Sequence, residues 1–309
     1  MKSIKVFAPA TVANVTCGFD ILGFAVHQPG DVVLVKLRQS PGISIEEIKG
    51  DDGLLPKDVE KNTVSVAIKA YLDHLKLDTG VEIYLEKKMP LGSGLGSSAA
   101  SAVAGVFAIN ELMDRPLEVI ELLPFAMQGE MLACGEPHAD NVAPALMGGF
   151  VLIRSYNPLD VVKIDAPREL YASIVHPQIE IATKDARSIL KKSLLLRDAV
   201  RQWGNIAGLI TGLIKEDYQL ISRSMEDVIV EPVRAVLIPG FDQVKAAALE
   251  AGALGCGISG SGPSMFSLSC SEQTANQVAQ AMLKCFQDLD ILTDVYVSPV
   301  NQHGPLILS

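Results

Sequence analysis

The 309-residue chain has few cysteines, and they are scattered. Cys17, Cys134, Cys256, Cys270 and Cys285 are odd in number, and no C-x-x-C pair occurs. That spacing argues against a structural zinc site and against a disulfide framework. Reduced thiols in a cytoplasmic protein are the simplest reading. Long apolar runs are also missing. Residues 89–110 carry no charge, but glycine and serine interrupt them, so no stretch of roughly 18 apolar residues is available to span a membrane. The opening MKSIKVFAPA is too short in its apolar part for a secretion signal. Positive charge is not in excess: 26 Lys and Arg against 36 Asp and Glu leave a net charge of −10. A nucleic-acid backbone would be repelled, so nucleic acid is not an expected partner. The strings H-R-D, D-F-G and G-x-x-x-x-G-K-[ST] are all absent, which removes the protein-kinase set and the Walker phosphate loop.

What remains is an ordinary globular composition, 49% hydrophobic and 20% charged. The length exceeds what one core usually fills, so two lobes are expected, residues 1–160 and 161–309. The best boundary stretch is 158–170, with two prolines and mixed charge. Residues 4–8 predict a strand that stops at Pro9, and 31–37 predict a second. Apolar spacing over 63–75 predicts a helix. Alternation over 81–87 puts Val81, Ile83 and Leu85 on one face of a half-buried strand. A helix is expected to about Leu112, then another over 117–134 that Pro124 bends or splits. Residues 148–154 and 171–176 predict strands. Residues 185–203 predict a helix with Ile189, Leu196, Val200 and Trp203 on one face. Mostly helical chain follows to 229, with a further helix at 241–251. A Gly-rich stretch at 255–262 then leads to a strand at 264–268. A helix at 274–289 and a strand at 294–299 close the pattern. Strands and helices mix without a regular βαβ alternation, which favours α+β lobes.

Between the strand at 81–87 and the next helix lies PLGSGLGSSAASAVAG, residues 90–105. A Gly-rich turn opening a helix gathers backbone N–H groups and the positive end of the helix dipole, so it binds anions without a lysine. Tight packing of a Gly/Ala-rich helix is the plain alternative. Gly94, Gly96 and Ala99 also fit the dinucleotide fingerprint G-x-G-x-x-A. That reading needs a strand after the helix, and MDRPLEVIELLPFAMQGE is helical in character instead.

The stretch MPLGSGLGSSAA, residues 89–100, resembles the second motif of the GHMP small-molecule kinases. PATVANVTCGFDILGFAV at 9–26 resembles their first motif, and GCGISGSGPSMFSL at 255–268 their third. EPHADN at 136–141, HPQIEIATKDAR at 176–187, EPVRAVLIPG at 231–240 and NTVSVA at 62–67 are similar to the family's homoserine-phosphorylating members. The resemblance implies an α+β, two-lobed fold, ribosomal-S5-like in the N-terminal lobe and ferredoxin-like in the C-terminal lobe. It implies transfer of a phosphoryl group from ATP to the hydroxyl of L-homoserine, on the way to threonine, and a possible homodimer. A sugar or mevalonate as acceptor is the alternative within the family.

By that resemblance the ATP phosphates fall to Pro90, Leu91, Gly92, Ser93, Gly94, Leu95, Gly96, Ser97, Ser98, Ala99 and Ala100. Ser98 and Glu130 are the implied holders of Mg²⁺, a hard cation that takes few protein oxygens. A solvated helix glutamate is the plain reading of Glu130. Asn62 is the implied adenine-side residue, or a helix N-cap, and both roles are compatible. For the amino-acid substrate, Asp20 with Asn14 suits the ammonium, and Arg187 and Arg234 suit the carboxylate. Arg187 sits among Lys184, Lys191, Lys192 and Arg197, which ordinarily makes a solvated face. His138, Asn141, Thr183 and Gly260 complete the expected pocket. His138, Asp140 and Asn141 are the catalytic candidates. Thr11 and Asn141 occupy the positions where mevalonate and galactose relatives carry a lysine and an aspartate. Asp140 is expected to point away. The reading is therefore in-line attack without a dedicated side-chain base.

Overall fold

A computed structural model describes residues 2–135 and 138–308. Glu136 and Pro137, which begin the EPHADN string, and the side chain of Cys134 lie outside the described residues. The first half holds β1 (Ser3–Ala13), β2 (Leu22–Arg38), β3 (Ile43–Lys49), α1 (Thr63–Leu75), β4 (Gly80–Glu86), α2 (Ser97–Leu112), α3 (Leu123–Cys134), α4 (Ala139–Met147), β5 (Phe150–Tyr156) and β6 (Leu159–Ile164). The second holds β7 (Tyr171–Pro177), α5 (Thr183–Ser188), α6 (Leu196–Lys215), α7 (Tyr218–Ser224), α8 (Glu231–Arg234), α9 (Phe241–Glu250), β8 (Gly255–Ile258), β9 (Met265–Ser269), α10 (Glu272–Gln287), β10 (Thr293–Pro299) and β11 (Leu306–Leu308).

Seven strands form one sheet in the order β11-β1-β2-β4-β3, with β5 on the first residues of β2 and β6 beyond it. The other sheet is antiparallel, in the order β10-β7-β9-β8. The fold is α+β and two-lobed. Phe24 of the first sheet stacks on Phe150 (4.8 Å) and meets Phe266 of the second edge-on (5.8 Å), so one core joins both lobes. A second core lies under α9 and α10, around Val175, Val244, Met265 and Phe286. α2 is almost wholly buried and its residues are small, which lets α1, α3, α4, β1 and β2 close around it. No described helix is long and apolar enough to cross a membrane.

Several expectations need correction. β1 does not stop at Pro9. The register shifts between Pro9 and Thr11, and this bulge accommodates a residue without an N–H. Pro124 splits the 117–134 helix into a 3₁₀ turn (Val119–Leu122) and α3, where it occupies the first turn, a position at which its missing N–H costs nothing. Residues 185–203 are two helices, not one. Leu196, Val200 and Trp203 do share a face of α6, but it is the exposed face (72%, 54% and 58%). Periodicity identifies an apolar stripe, not what it meets. Gly255–Ile258 is a strand paired with β9, so the third Gly-rich motif is a hairpin turn. β6 straddles residue 160 and β11 returns to the first sheet, and we propose 165–170 as the lobe boundary.

Candidate functional site

Gly92, Gly94 and Gly96 have φ of 67°, 77° and 66°, which glycine adopts freely. They coil the chain between β4 and α2 so that Gly96 caps the helix with backbone alone. The first N–H groups of α2 therefore meet no capping side chain. Close approach also demands glycine. A Cβ on Gly94 would lie 2.5 Å from the Ser259 carbonyl oxygen, and one on Gly96 would lie 2.2 Å from Thr11 Oγ1. The hairpin turn between β8 and β9 is sewn to this loop: Ser259 Oγ donates to the Gly94 carbonyl (2.8 Å), and the Ser264 N–H to that of Ser93 (3.3 Å).

Beneath the loop lies a cation that the motif itself lacks. Lys87 is buried, pairs with the carboxylate of Asp31, and donates to the Ser97 carbonyl (2.9 Å) and to Ser101 Oγ (2.8 Å). Burial pushes its ammonium below the usual lysine range, against the pull of Asp31. The strand pattern held this signal, since Val81, Ile83, Leu85 and Lys87 share one parity.

Ser98, in the first turn of α2, donates to Glu130 Oε2 of α3 at 2.7 Å. Glu130 is only 2% exposed, so it is no solvated helix glutamate. Two hard oxygens thus stand together beside the loop. Asn62 accepts from the Val64 N–H (3.2 Å) and donates to the Pro56 carbonyl (2.9 Å), which makes it the N-cap of α1. It also lines the cavity, with Leu55, Pro56, Leu91 and Leu132 supplying apolar wall nearby in the lining. Leu95, Ala99 and Ala100 point into the core and Pro90 does not line the cavity, so those four members of the motif support the loop without facing a ligand.

The cavity, about 430 Å³, continues from the loop to every residue expected to bind substrate: Asn14, Asp20, His138, Asn141, Thr183, Arg187, Arg234 and Gly260. A turn after β1 builds one wall. Asn14, Val15, Thr16 and Asp20 all have positive φ, between 43° and 71°. Such a run costs energy and persists because the surroundings fix it. The Asp20 N–H donates to Asn14 Oδ1 (3.0 Å), Asn14 Nδ2 donates to the Gly260 carbonyl (2.8 Å), and the Tyr156 hydroxyl donates to the Asp20 carbonyl (2.9 Å).

Arg187 is not on a solvated face. It grips Asp20 with both Nη groups (3.0 and 2.9 Å), although the two were expected to take opposite ends of a ligand. The two opposite charges satisfy each other across the cavity. Its Nη2 also meets His138 Nε2 at 3.2 Å. The guanidinium can only donate there, so Nε2 carries the lone pair and the ring proton sits on Nδ1, 3.9 Å from Asp20. Arg234 is buried, and its Nε and Nη1 donate to the carbonyls of Ala186 (3.0 Å) and Gly260 (3.1 Å). Burial lowers its pKa, and the charge of Arg187 adds to the effect. No carboxylate among the described residues pairs with it.

Asp140 lines the cavity too, contrary to expectation. His138, Asp140 and Asn141 occupy the start of α4, and that end meets the cavity, so consecutive residues can all reach it. Burial, helped by the charges of Asp20 and Glu130, pushes the Asp140 carboxyl up to about 7. Thr11 Oγ1 donates to Asn141 Oδ1 (2.8 Å), which leaves Asn141 its NH₂ group as the free donor. Sequence reasoning missed Lys87, Asp31, Phe19 and Tyr156. The cavity combines an anion-binding helix start, two metal-grade oxygens, and an acid, two guanidiniums and an amide suited to a small zwitterion.

Residues 62–149 match the family model for the GHMP kinases N terminal domain, and residues 209–288 the model for the GHMP kinases C terminal domain. A homoserine kinase of Chloroherpeton thalassium is 51% identical over all of both chains, and one of Chlorobium phaeobacteroides is 50% identical over the same extent. The crystal structure of a homoserine kinase from Cytophaga hutchinsonii is 64% identical and superposes with a TM-score of 0.97, covering 100% of this chain and 98% of that one.

Proposed function

The chain belongs to the homoserine kinases of the GHMP kinase family, and on that premise we propose that it moves the γ-phosphoryl group of ATP to the hydroxyl of L-homoserine. The observation that carries the substrate choice is Arg234, a buried guanidinium facing the cavity, whose hydrogen bonds among the described residues go to carbonyl oxygens and not to a carboxylate. A desolvated cation of that kind calls for an anionic group on the ligand. The carboxylate of an amino acid supplies it, whereas galactose has none. Thr11 and Asn141 count against mevalonate as well, because neither can act as a lysine or an aspartate would.

On this reading Asp20 leaves Arg187 to receive the substrate ammonium, and the two arginines take its carboxylate. The α2 N–H groups and the loop hold the phosphates. Ser98 and Glu130 fit Mg²⁺, because both present hard oxygens side by side at that point. When bound, Mg²⁺ would offset charge on the phosphates. The homoserine oxygen attacks the γ-phosphorus in line as the bond to the β-phosphate oxygen breaks, and ADP leaves with that oxygen. Asn141 orients the hydroxyl with its NH₂ but cannot take a proton. The proton goes to the transferred phosphoryl group or to water, since a loose transition state demands little deprotonation. ADP release tests the assignment: it is expected with L-homoserine and to be far slower with L-serine, mevalonate or galactose. Release with mevalonate or galactose but not L-homoserine overturns it.

Asp140→Asn separates the proton routes. Its kcat is expected to stay within about tenfold of the native value, below the roughly 10²- to 10⁴-fold cost of a lost general base. A drop of several orders with KM unchanged would make Asp140 the base. The same variant has a stability signature. A carboxyl raised from 3.8 to about 7 binds more protons folded than unfolded, so native stability falls as pH rises through that window. Asp140→Asn removes this slope and is expected to raise Tm at pH 8 by about 2–5 °C. Parallel melting-pH curves for both proteins would contradict the shift.

A further inference from the structure

Lys87 and Asp31 have no step in the transfer, yet they lie under the start of α2. β2 supplies Asp31, the residue after β4 is Lys87, and both side chains are buried. The three ammonium protons of Lys87 have three acceptors: the Asp31 carboxylate, the Ser97 carbonyl (2.9 Å) and Ser101 Oγ (2.8 Å). Asp31 also accepts from Ser97 Oγ (3.0 Å) and from the Lys88 N–H (2.9 Å), with Ser101 Oγ at 3.3 Å. Ser97 and Ser101 stand one turn apart at the start of α2, and both line the cavity together with Lys87. A carboxylate is therefore already fixed beneath the helix end that reads as the phosphate site. Alone it would compete with phosphate for the same dipole.

We propose that Asp31 ties down the first turn of α2 and that Lys87 cancels its charge, so that the helix start keeps its pull on the ATP phosphates. Lys87 is then a positioning residue for the nucleotide, and the proposal rests on reading the Gly-rich loop as the phosphate site. Its three protons are all committed within the protein, so it acts through its charge and not as a phosphate ligand. Stability alone does not account for the pair. A buried ion pair is often no more stabilising than apolar side chains of similar volume. A lysine by itself is the wrong charge for a helix start, where the dipole favours anions. The acid has the right charge for the helix and the wrong charge for the ligand. Together the two bind the turn through Ser97 and Ser101 and leave no net charge beneath it.

The test measures dissociation constants of Mg-ADP and L-homoserine by calorimetry at pH 7, with Tm alongside, for Lys87→Met, Asp31→Asn and the double variant. In each single variant the remaining charge keeps three hydrogen-bond partners that favour its ionised form. Lys87→Met is expected to weaken Mg-ADP on the order of tenfold, and Asp31→Asn to tighten it several-fold, although both lower Tm. The double variant is expected to return to within about threefold of the native value. L-homoserine binding should stay within about twofold throughout. Opposite signs from two destabilising changes are what a structural tie cannot produce. Weaker Mg-ADP binding in both single variants, in step with their loss of Tm, would overturn the role of the charge. Should one single variant fail to fold, the other still differs from the double variant by one charge, and equal Mg-ADP constants in those two overturn the proposal. A native protein that binds L-homoserine but not Mg-ADP overturns the phosphate reading itself.

Discussion

Arg234→Met is expected to raise KM for L-homoserine by about two to three orders of magnitude and to leave KM for ATP within about twofold. Truncating one partner of a buried, charge-assisted contact costs roughly 2–5 kcal/mol, and every 1.4 kcal/mol is tenfold. Arg234 is 3% exposed, so solvent does little to screen it. Methionine keeps the unbranched apolar stem but ends two atoms short of the Nη groups and carries neither charge nor donors. The carbonyls of Ala186 and Gly260 lose a partner each, so Tm should fall by a few degrees. Initial-rate kinetics with each substrate varied in turn provide the check. An equal rise in both KM values would mean that Arg234 holds the cavity together instead of reading a carboxylate.

Ser98→Ala is the second large effect. It is expected to lower kcat/KM for Mg-ATP by about 10²-fold, with the dissociation constant of L-homoserine nearly unchanged. The change deletes one of two hard oxygens beside the phosphate loop and the 2.7 Å bond that fixes Glu130. Raising Mg²⁺, or substituting Mn²⁺, which nitrogen and oxygen sites hold among the weakest of the transition metals but in similar geometry, should recover part of the rate. A defect indifferent to metal identity and concentration, with homoserine binding weakened to the same degree, would place Ser98 in a purely structural role.

How much of this was legible in the sequence depends on how local each feature is. The phosphate loop was legible because a strand, three left-handed glycines and a helix start are contiguous, and each leaves its own mark on the chain. α1 was legible to the residue because its cap and its periodicity agree. Lys87 could have been found, since strand parity puts it on the inward face. Other features had no such signal. The pairing of Arg187 with Asp20 joins positions 167 apart in sequence, and charge spacing alone made Arg187 a solvated lysine-rich face. Asp140 was expected to point away because successive residues on a helix diverge, but the end of α4 meets the cavity and that argument does not apply there. The stripe on α6 was legible as a shared apolar face, but its exposure was not, because periodicity reports amphipathicity only. Phe19 stood in the first motif all along, but the approach of two guanidiniums to its ring depends on the convergence of α5, α8 and the turn after β1.

Product identification tests the central claim most directly. The protein is incubated with Mg-ATP and L-homoserine, and the mixture is followed by phosphorus NMR and mass spectrometry. The account predicts ADP together with a phosphomonoester of homoserine on its hydroxyl oxygen, formed in equal amounts and only when both substrates are present. Phosphate release without that ester, or phosphorylation at the carboxylate, would contradict it.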